Sequence, residues 1–187
     1  AETLTVESLD GTRQAITVTV RGADEAPAAP TRSAVPAVVT TADDPNDQTG
    51  SGGAAASSST KLNEDNVLTG TSGDDVIDAK NVSDTVYGGA GSDVINAGQD
   101  ADLVYGGAGN DAIEGDAQDD NIYGGSGNDT INGGEGDDQL VGGYGADVLT
   151  GKQGQDVFRY LDTRDTGDSI TDFNVREDKI DFSGIDA

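Results

Sequence analysis

The chain has no cysteine, no histidine, no methionine and no tryptophan. Without cysteine there is no disulfide scaffold, zinc ribbon or iron–sulfur site. Without histidine, the usual zinc sites, histidine-based triads and most neutral-pH general bases are excluded too. Positive charge is scarce: 10 Lys plus Arg stand against 36 Asp plus Glu, a formal net charge of -26. Such a chain repels nucleic-acid phosphates and anionic membrane surfaces, so neither is expected as a partner. Apolar runs are a few residues long, so no membrane insertion is expected. Leu, Ile, Val and Phe make up only 36 of 187 residues. At this net charge, that composition buries too little apolar surface to offset chain entropy unless something outside the sequence neutralises it. No signal-peptide pattern is visible and the first residue is Ala1, so the expectation is a piece of a longer protein.

What is present falls into segments of different texture. In 1–26, Leu4-Thr5-Val6 and Ile16-Thr17-Val18-Thr19-Val20 alternate apolar and polar around an Asp10-Gly11 turn, which predicts a hairpin. A two-stranded hairpin is not stable alone. It resembles the closing strands of cadherin-like or VCBS-type sandwich repeats, which implies the remnant of a β-sandwich; a lone edge hairpin is the other reading. Residues 27–60 hold all four prolines (Pro27, Pro30, Pro36, Pro45) and a Gly/Ser/Ala-rich run, the composition of a flexible linker.

The third segment, 61–187, is a repeat. Counting in nines from Gly70 to Arg159, ten units fit without an insertion. Position six is Asp in every unit: Asp75, Asp84, Asp93, Asp102, Asp111, Asp120, Asp129, Asp138, Asp147 and Asp156. Position eight is always apolar, from Ile77 and Val86 to Leu149 and Phe158. Position one is Gly except at Ala79 and Ala97, and 21 of the 28 glycines lie in this stretch. The best units read Gly88-Gly89-Ala90-Gly91-Ser92-Asp93, Gly106-Gly107-Ala108-Gly109-Asn110-Asp111 and Gly124-Gly125-Ser126-Gly127-Asn128-Asp129. This glycine-rich nonapeptide resembles the RTX (repeats-in-toxin) calcium-binding family.

The residue types suit that chemistry. Glycine supplies positive φ cheaply where the chain reverses and leaves carbonyls free to turn towards an ion. Calcium is a hard cation that takes six to eight oxygens, so carbonyls plus one carboxylate per bend suit it. Six residues are expected to form the bend and three a short strand with position eight inward. The resemblance implies that two units make one turn of a right-handed parallel β-roll, so that residues 18 apart stack. Aspartates would then stand in columns at about 5 Å spacing, and their repulsion, on the order of 10 kcal/mol summed over the columns, rivals a domain's stability. Folding and calcium binding are therefore expected to be one equilibrium.

Odd-numbered units, starting at 70, 88, 106, 124 and 142, form one edge, and their five loops leave four gaps for calcium. The resemblance implies that a loop gives its position-two and position-four carbonyls and its Asp, while the next same-edge loop gives its position-one and position-three carbonyls and its own Asp. Carried over, Gly89, Gly91 and Asp93 face Gly106, Ala108 and Asp111. The first gap involves Gly73, Asp75 and Gly88. The later gaps involve Gly107, Gly109, Gly124, Ser126, Gly125, Gly127, Asp129, Gly142, Tyr144 and Asp147. On the even edge three loops depart from the pattern. One or two sites are expected there, from Gly134, Gly136, Asp138, Gly151 and Asp156, with Asp120 left open; Lys80 is a candidate replacement for an ion at the first even loop. About five or six calcium ions follow. Tyr87, Tyr105 and Tyr123, spaced by 18, make an outward stripe: a sugar- or partner-docking ladder, or simple cross-strand stacking.

Residues 168–173 and 178–183 predict two strands closing the roll, as solenoids require. They are similar to the region after the repeats in RTX proteins exported by type I secretion, which implies the start of a C-terminal export signal; a capping hairpin is the alternative. There is no His-Glu-x-x-His and no Gly-x-Ser-x-Gly, so no enzyme is expected within the chain. The expected fold is all-β. The expected function is a calcium-binding folding and secretion module at the C-terminus of a bacterial surface adhesin, extracellular and monomeric, with the type I secretion machinery as partner. The alternative is the same module in a secreted metalloprotease, lipase or epimerase, with catalysis upstream.

Overall fold

The structure, a computed structural model, describes residues 65–185 together with the backbone of three strands at 2–6, 16–20 and 56–58. The Asp10-Gly11 turn and the proline-rich segment 27–55 lie outside the described residues. Among the described residues there is no helix.

Successive nonapeptides alternate between two parallel sheets. One holds β3 (Ala56–Ser58), β5 (Val76–Asp78), β7 (Val94–Gln99), β9 (Ala112–Ala117), β11 (Thr130–Glu135), β13 (Val148–Gln153) and β15 (Ser169–Ile170). The other holds β4 (Val67–Thr69), β6 (Thr85–Ala90), β8 (Leu103–Ala108), β10 (Asn121–Ser126), β12 (Gln139–Tyr144), β14 (Val157–Arg159) and β16 (Lys179–Asp181). Pairing joins residues 18 apart through the repeats, as in Ile122 with Val104 and Leu140. This is the parallel β-roll that the resemblance implies.

The strands correct one expectation. A complete strand has six residues, not three: positions seven to nine of one unit and one to three of the next. Gly89 pairs with Gly107 and Ala90 with Ala108 inside the ladder. The reversal is thereby confined to positions four to six. Glycine-rich stretches can pair because their backbone N–H and C=O groups need partners as much as any others do.

Within positions seven to nine only the eighth side chain points in. Ile77, Val86, Ile95, Val104, Ile113, Ile122, Ile131, Leu140, Leu149 and Phe158 are all buried. Ala79 and Ala97, which replace glycine at position one, are buried beside them. The core is thus two facing stripes, extended at the C-terminal end by Tyr160 and Ile170. Phe182 stacks on Tyr160 at 5.2 Å, and Phe173 packs against Phe158 at 6.0 Å.

Both ends carry additions. β3 lies within the segment whose composition suggests a linker, and it pairs with β5. β1 (Glu2–Val6) pairs antiparallel with β2 (Ile16–Val20), and β2 lies parallel to β15, so the hairpin extends a sheet of the roll. On the outer face Tyr87, Tyr105 and Tyr123 stack at 5.1 and 5.0 Å, with ring planes 4° and 13° apart. Cross-strand stacking is what the stripe does here.

Candidate metal centres

The position-six aspartates line both edges, and none is more than 3% exposed. From Asp84 to Asp156, each uses one oxygen to hold the neighbouring turn. On the odd edge the N–H of Asp75 donates to Oδ1 of Asp93 at 2.8 Å, and Asp93 to Asp111, Asp111 to Asp129 and Asp129 to Asp147 follow at the same distance. On the even edge the ladder runs from the Asn66 N–H to Asp84 at 2.7 Å and on through Asp102, Asp120 and Asp138 to Asp156 at 3.0 Å. A second ladder runs the other way through position five. The Ser92 N–H donates to Asp74, Asn128 to Asn110 and Ala146 to Asn128. Side-chain acceptors running in opposite directions therefore clamp each gap of the odd edge.

The other carboxylate oxygen has no such role. Oδ2 of Asp84, Asp93, Asp102, Asp111, Asp120, Asp129, Asp138, Asp147 and Asp156 is buried without a hydrogen-bond partner. Unpartnered buried polar atoms are costly, and anionic ones more so. The carboxyls of Asp93, Asp102, Asp111, Asp120, Asp129, Asp138, Asp147 and Asp156 respond by holding a proton more tightly than a free carboxyl does. Burial, opposed by the backbone hydrogen bond and reinforced by neighbouring aspartates, pushes Asp93 up to about 6 and Asp129 to about 7. The same causes push Asp102 and Asp138 to about 7 and Asp120 to about 8. The sequence places the cost in like-charge repulsion; in the structure desolvation comes first and repulsion adds to it. A bound cation answers both.

Backbone oxygens converge on the same gaps. A Cβ on Gly106 would lie 2.6 Å from Oδ2 of Asp111 and 2.6 Å from the Gly124 carbonyl. Those two oxygens, from successive odd loops, thus share one small space. A Cβ on Gly107 would collide with the Gly89 carbonyl, and one on Gly109 with the Gly91 carbonyl. The carbonyls of Gly89, Gly91 and Gly106 therefore all face the neighbouring same-edge loop. The carbonyls of Ala108, Ser126 and Tyr144 are already engaged, accepting N–H bonds from Gly91, Gly109 and Gly127 at 2.7–2.8 Å. Hard oxygens around an unpartnered carboxylate fit calcium.

The glycines divide by role. Position-one glycines are not left-handed; Gly70, Gly88, Gly106, Gly115, Gly124, Gly133, Gly142 and Gly151 leave room for Oδ2 of their own unit's Asp. Left-handed φ belongs to positions two and four, such as Gly107 at 115° and Gly109 at 129°.

Two loops behave differently from expectation. In the first odd loop, Oδ2 of Asp75 accepts from the Thr71 N–H at 2.6 Å and from its hydroxyl at 3.0 Å. This loop supplies locally what the later ones lack. At the first even loop, Lys80 pairs with Asp78 on the surface, while Oδ2 of Asp84 keeps no partner. Lys80 therefore does not stand in for an ion in the column: its ammonium pairs with Asp78, and its side chain is 38% exposed.

Aspartates beyond the repeats continue both columns. Asp168 accepts from the Asp147 N–H at 2.9 Å after a step of 21, and Asp178 from Asp156 at 3.2 Å after a step of 22. The nine-residue count misses both. Asp165, which the count does place at position six, lies buried beside Asp168. Extending the period past Arg159 would have found Asp165; Asp168 and Asp178 needed the pairing of β15 and β16.

The RTX calcium-binding nonapeptide repeat family matches in four copies, at residues 62–81, 79–113, 105–140 and 123–158. Comparison with curated proteins and with solved structures returns no match. The matched copies run from 62 to 158, just over half of the chain, and cover every loop with an unpartnered position-six carboxylate. The chain belongs to the RTX calcium-binding nonapeptide-repeat family.

Proposed function

We propose that this chain is a calcium-triggered folding module of a secreted bacterial protein, the C-terminal part of a surface adhesin exported by type I machinery, and that it binds rather than catalyses. The observation that carries the calcium trigger is the pair of columns of buried, unpartnered Oδ2 atoms. Without a cation they make the closed roll costly at neutral pH; with calcium the same atoms become ligands. Where free calcium is low, as in a cytosol, the chain stays open and fit for export. In extracellular calcium it closes, at affinities of about 10⁻⁴–10⁻³ M typical of such modules. The hairpin and proline-rich segment ahead of the roll support the adhesin assignment.

Four ions are proposed in the odd-edge gaps and one or two near Asp138 and Asp156. The gap beside Asp75 fills last, because Thr71 already satisfies that carboxylate. Far-UV circular dichroism during a calcium titration, with magnesium as control, tests the reading. Strand signal is expected to rise with calcium alone, and an unchanged coil spectrum at millimolar calcium overturns it. Asp111→Ala removes a carboxylate facing two gaps. It is expected to shift the midpoint upward by about tenfold or more, equivalent to ~1.4 kcal/mol; a wild-type midpoint overturns the shared-carboxylate arrangement.

A further inference from the structure

The last turn breaks the nine-residue step. Strict counting puts position six at Asp165, but the place beneath Asp147 in the odd column belongs to Asp168. The chain keeps both aspartates by folding 162–167 back over the loop before it. The Tyr144 hydroxyl donates to Asp162 at 3.1 Å, and Arg164 donates to that hydroxyl at 2.6 Å and to Asp162 at 2.7 Å. The Arg164 guanidinium also lies 4.7 Å from the Tyr144 ring centre. Gly167, with φ 101°, rests against Ala146.

This fold-back brings together Asp147, Asp165 and Asp168, whose ligand oxygens all lie within 4.8 Å of one another. Asp165 is 2% exposed and the other two 1%. Oδ1 of Asp165 and Oδ2 of Asp147 and Asp168 have no hydrogen-bond partner. The Tyr160 hydroxyl, on a side chain 1% exposed, stands beside Asp168 and Asp165 at the same group. Three buried carboxylates facing one another cannot all carry charge without a cation between them.

We propose that Asp147, Asp165 and Asp168 form a separate calcium site, built from three carboxylates rather than from glycine carbonyls, which locks the last turn onto the roll. An ion bound at about 2.3–2.6 Å from each oxygen fits separations up to about 5 Å. Only Asp147 is shared with the repeats. The higher charge count fills this site at lower calcium than the repeat gaps.

The test uses the full chain. Calcium per chain is counted by equilibrium dialysis and atomic emission for the wild type and for Asp165→Ala, which lies outside every repeat gap. One ion fewer, with the calcium-induced strand signal retained, is the expected result; an equal count overturns the site. Should Asp165→Ala fail to form strand, terbium decides, because Tyr160 stands close enough to sensitise an ion held here. Tyr160→Phe is then expected to lower tyrosine-sensitised terbium emission in the folded chain, and undiminished emission overturns the proposal. A wild-type chain that takes up a single ion without gaining strand removes the repeat reading and leaves this site. A chain that folds with calcium but whose count ignores Asp165→Ala removes this site alone.

Discussion

Loops on the odd edge and loops on the even edge trace the same path with different residues. Every left-handed residue of the odd loops is a glycine: Gly89, Gly91, Gly107, Gly109, Gly125, Gly127, Gly143 and Gly145. The even loops also turn left-handed at positions two and four, yet six of those residues carry side chains: Lys80, Val82, Asp100, Asp116, Gln118 and Lys152, at 68–82° where the odd glycines lie at 102–152°. Each such residue costs roughly 1–2 kcal/mol, and Val82 is the worst case because it is β-branched. The difference teaches that glycine does not create the bend. The 18-residue register and the aspartate ladder impose it on both edges, and glycine lowers its cost on one. The even edge also buries its carboxyls deeply, with Asp120 pushed up to about 8 by burial. The edge with the costlier backbone is thus also one where a proton is held tightly.

The comparison is most sharply broken by matched alanines. Gly109→Ala puts a Cβ at φ 129° into the Gly91 carbonyl, and unfolding free energy is expected to fall by several kcal/mol. Gln118→Ala, at the equivalent even position with φ 77°, already tolerates a Cβ and is expected to stay within about 0.5 kcal/mol of wild type. Thermal unfolding in saturating calcium measures both; equal losses would show that the edges do not differ in this way.

Next in size is the response to acid, whose sign depends on calcium. A carboxyl with a folded-state value above its unfolded 3.8 binds its proton more tightly in the roll. That stabilisation is full below about pH 4 and lost as pH rises through about 6 for Asp93 and Asp147, 7 for Asp102, Asp129 and Asp138, and 8 for Asp120. Metal-free chain is therefore expected to gain strand signal as pH falls from 8 towards 4. Calcium-loaded chain is expected to weaken over the same range, because protons displace the ion. Dichroism against pH, with and without calcium, checks the crossing; parallel curves would falsify it.

The smallest effect is a gain. Val82→Gly relieves a left-handed β-branched residue, and about 1 kcal/mol of added stability is expected. The same measurement decides, and a loss instead of a gain would mean that Val82 stabilises the bend by packing.

Much of the roll was legible because its determinants are local and periodic. Position eight fills the core and position six lines the edges, and both can be counted along the chain. The six-residue strand was not legible, since nothing in a Gly-Gly-x run says whether it pairs or bends; its neighbours 18 residues away decide. The path through Lys80-Asn81-Val82 was hidden for a related reason. Stacking overrides a local preference against positive φ, so a loop without the usual glycines at those places still closes. The dual use of the carboxylates, one oxygen on an N–H and one left over, depends on a register the sequence shows only as a spacing. β3 follows from pairing with β5 rather than from the composition of 27–60. Asp168 and Asp178 were obscured by steps of 21 and 22 that break the count.

The register has a consequence for how such a chain can lengthen or shorten. A nonapeptide is half a turn, so neighbours in a column are two units apart. Deleting a single unit would transpose every later loop to the opposite side, setting glycine-poor bends beneath glycine-rich ones and orphaning the mating side chains along the whole remaining length. Gains and losses of repeats are therefore neutral only in pairs, and the parity of the array is as much a part of the design as any residue in it.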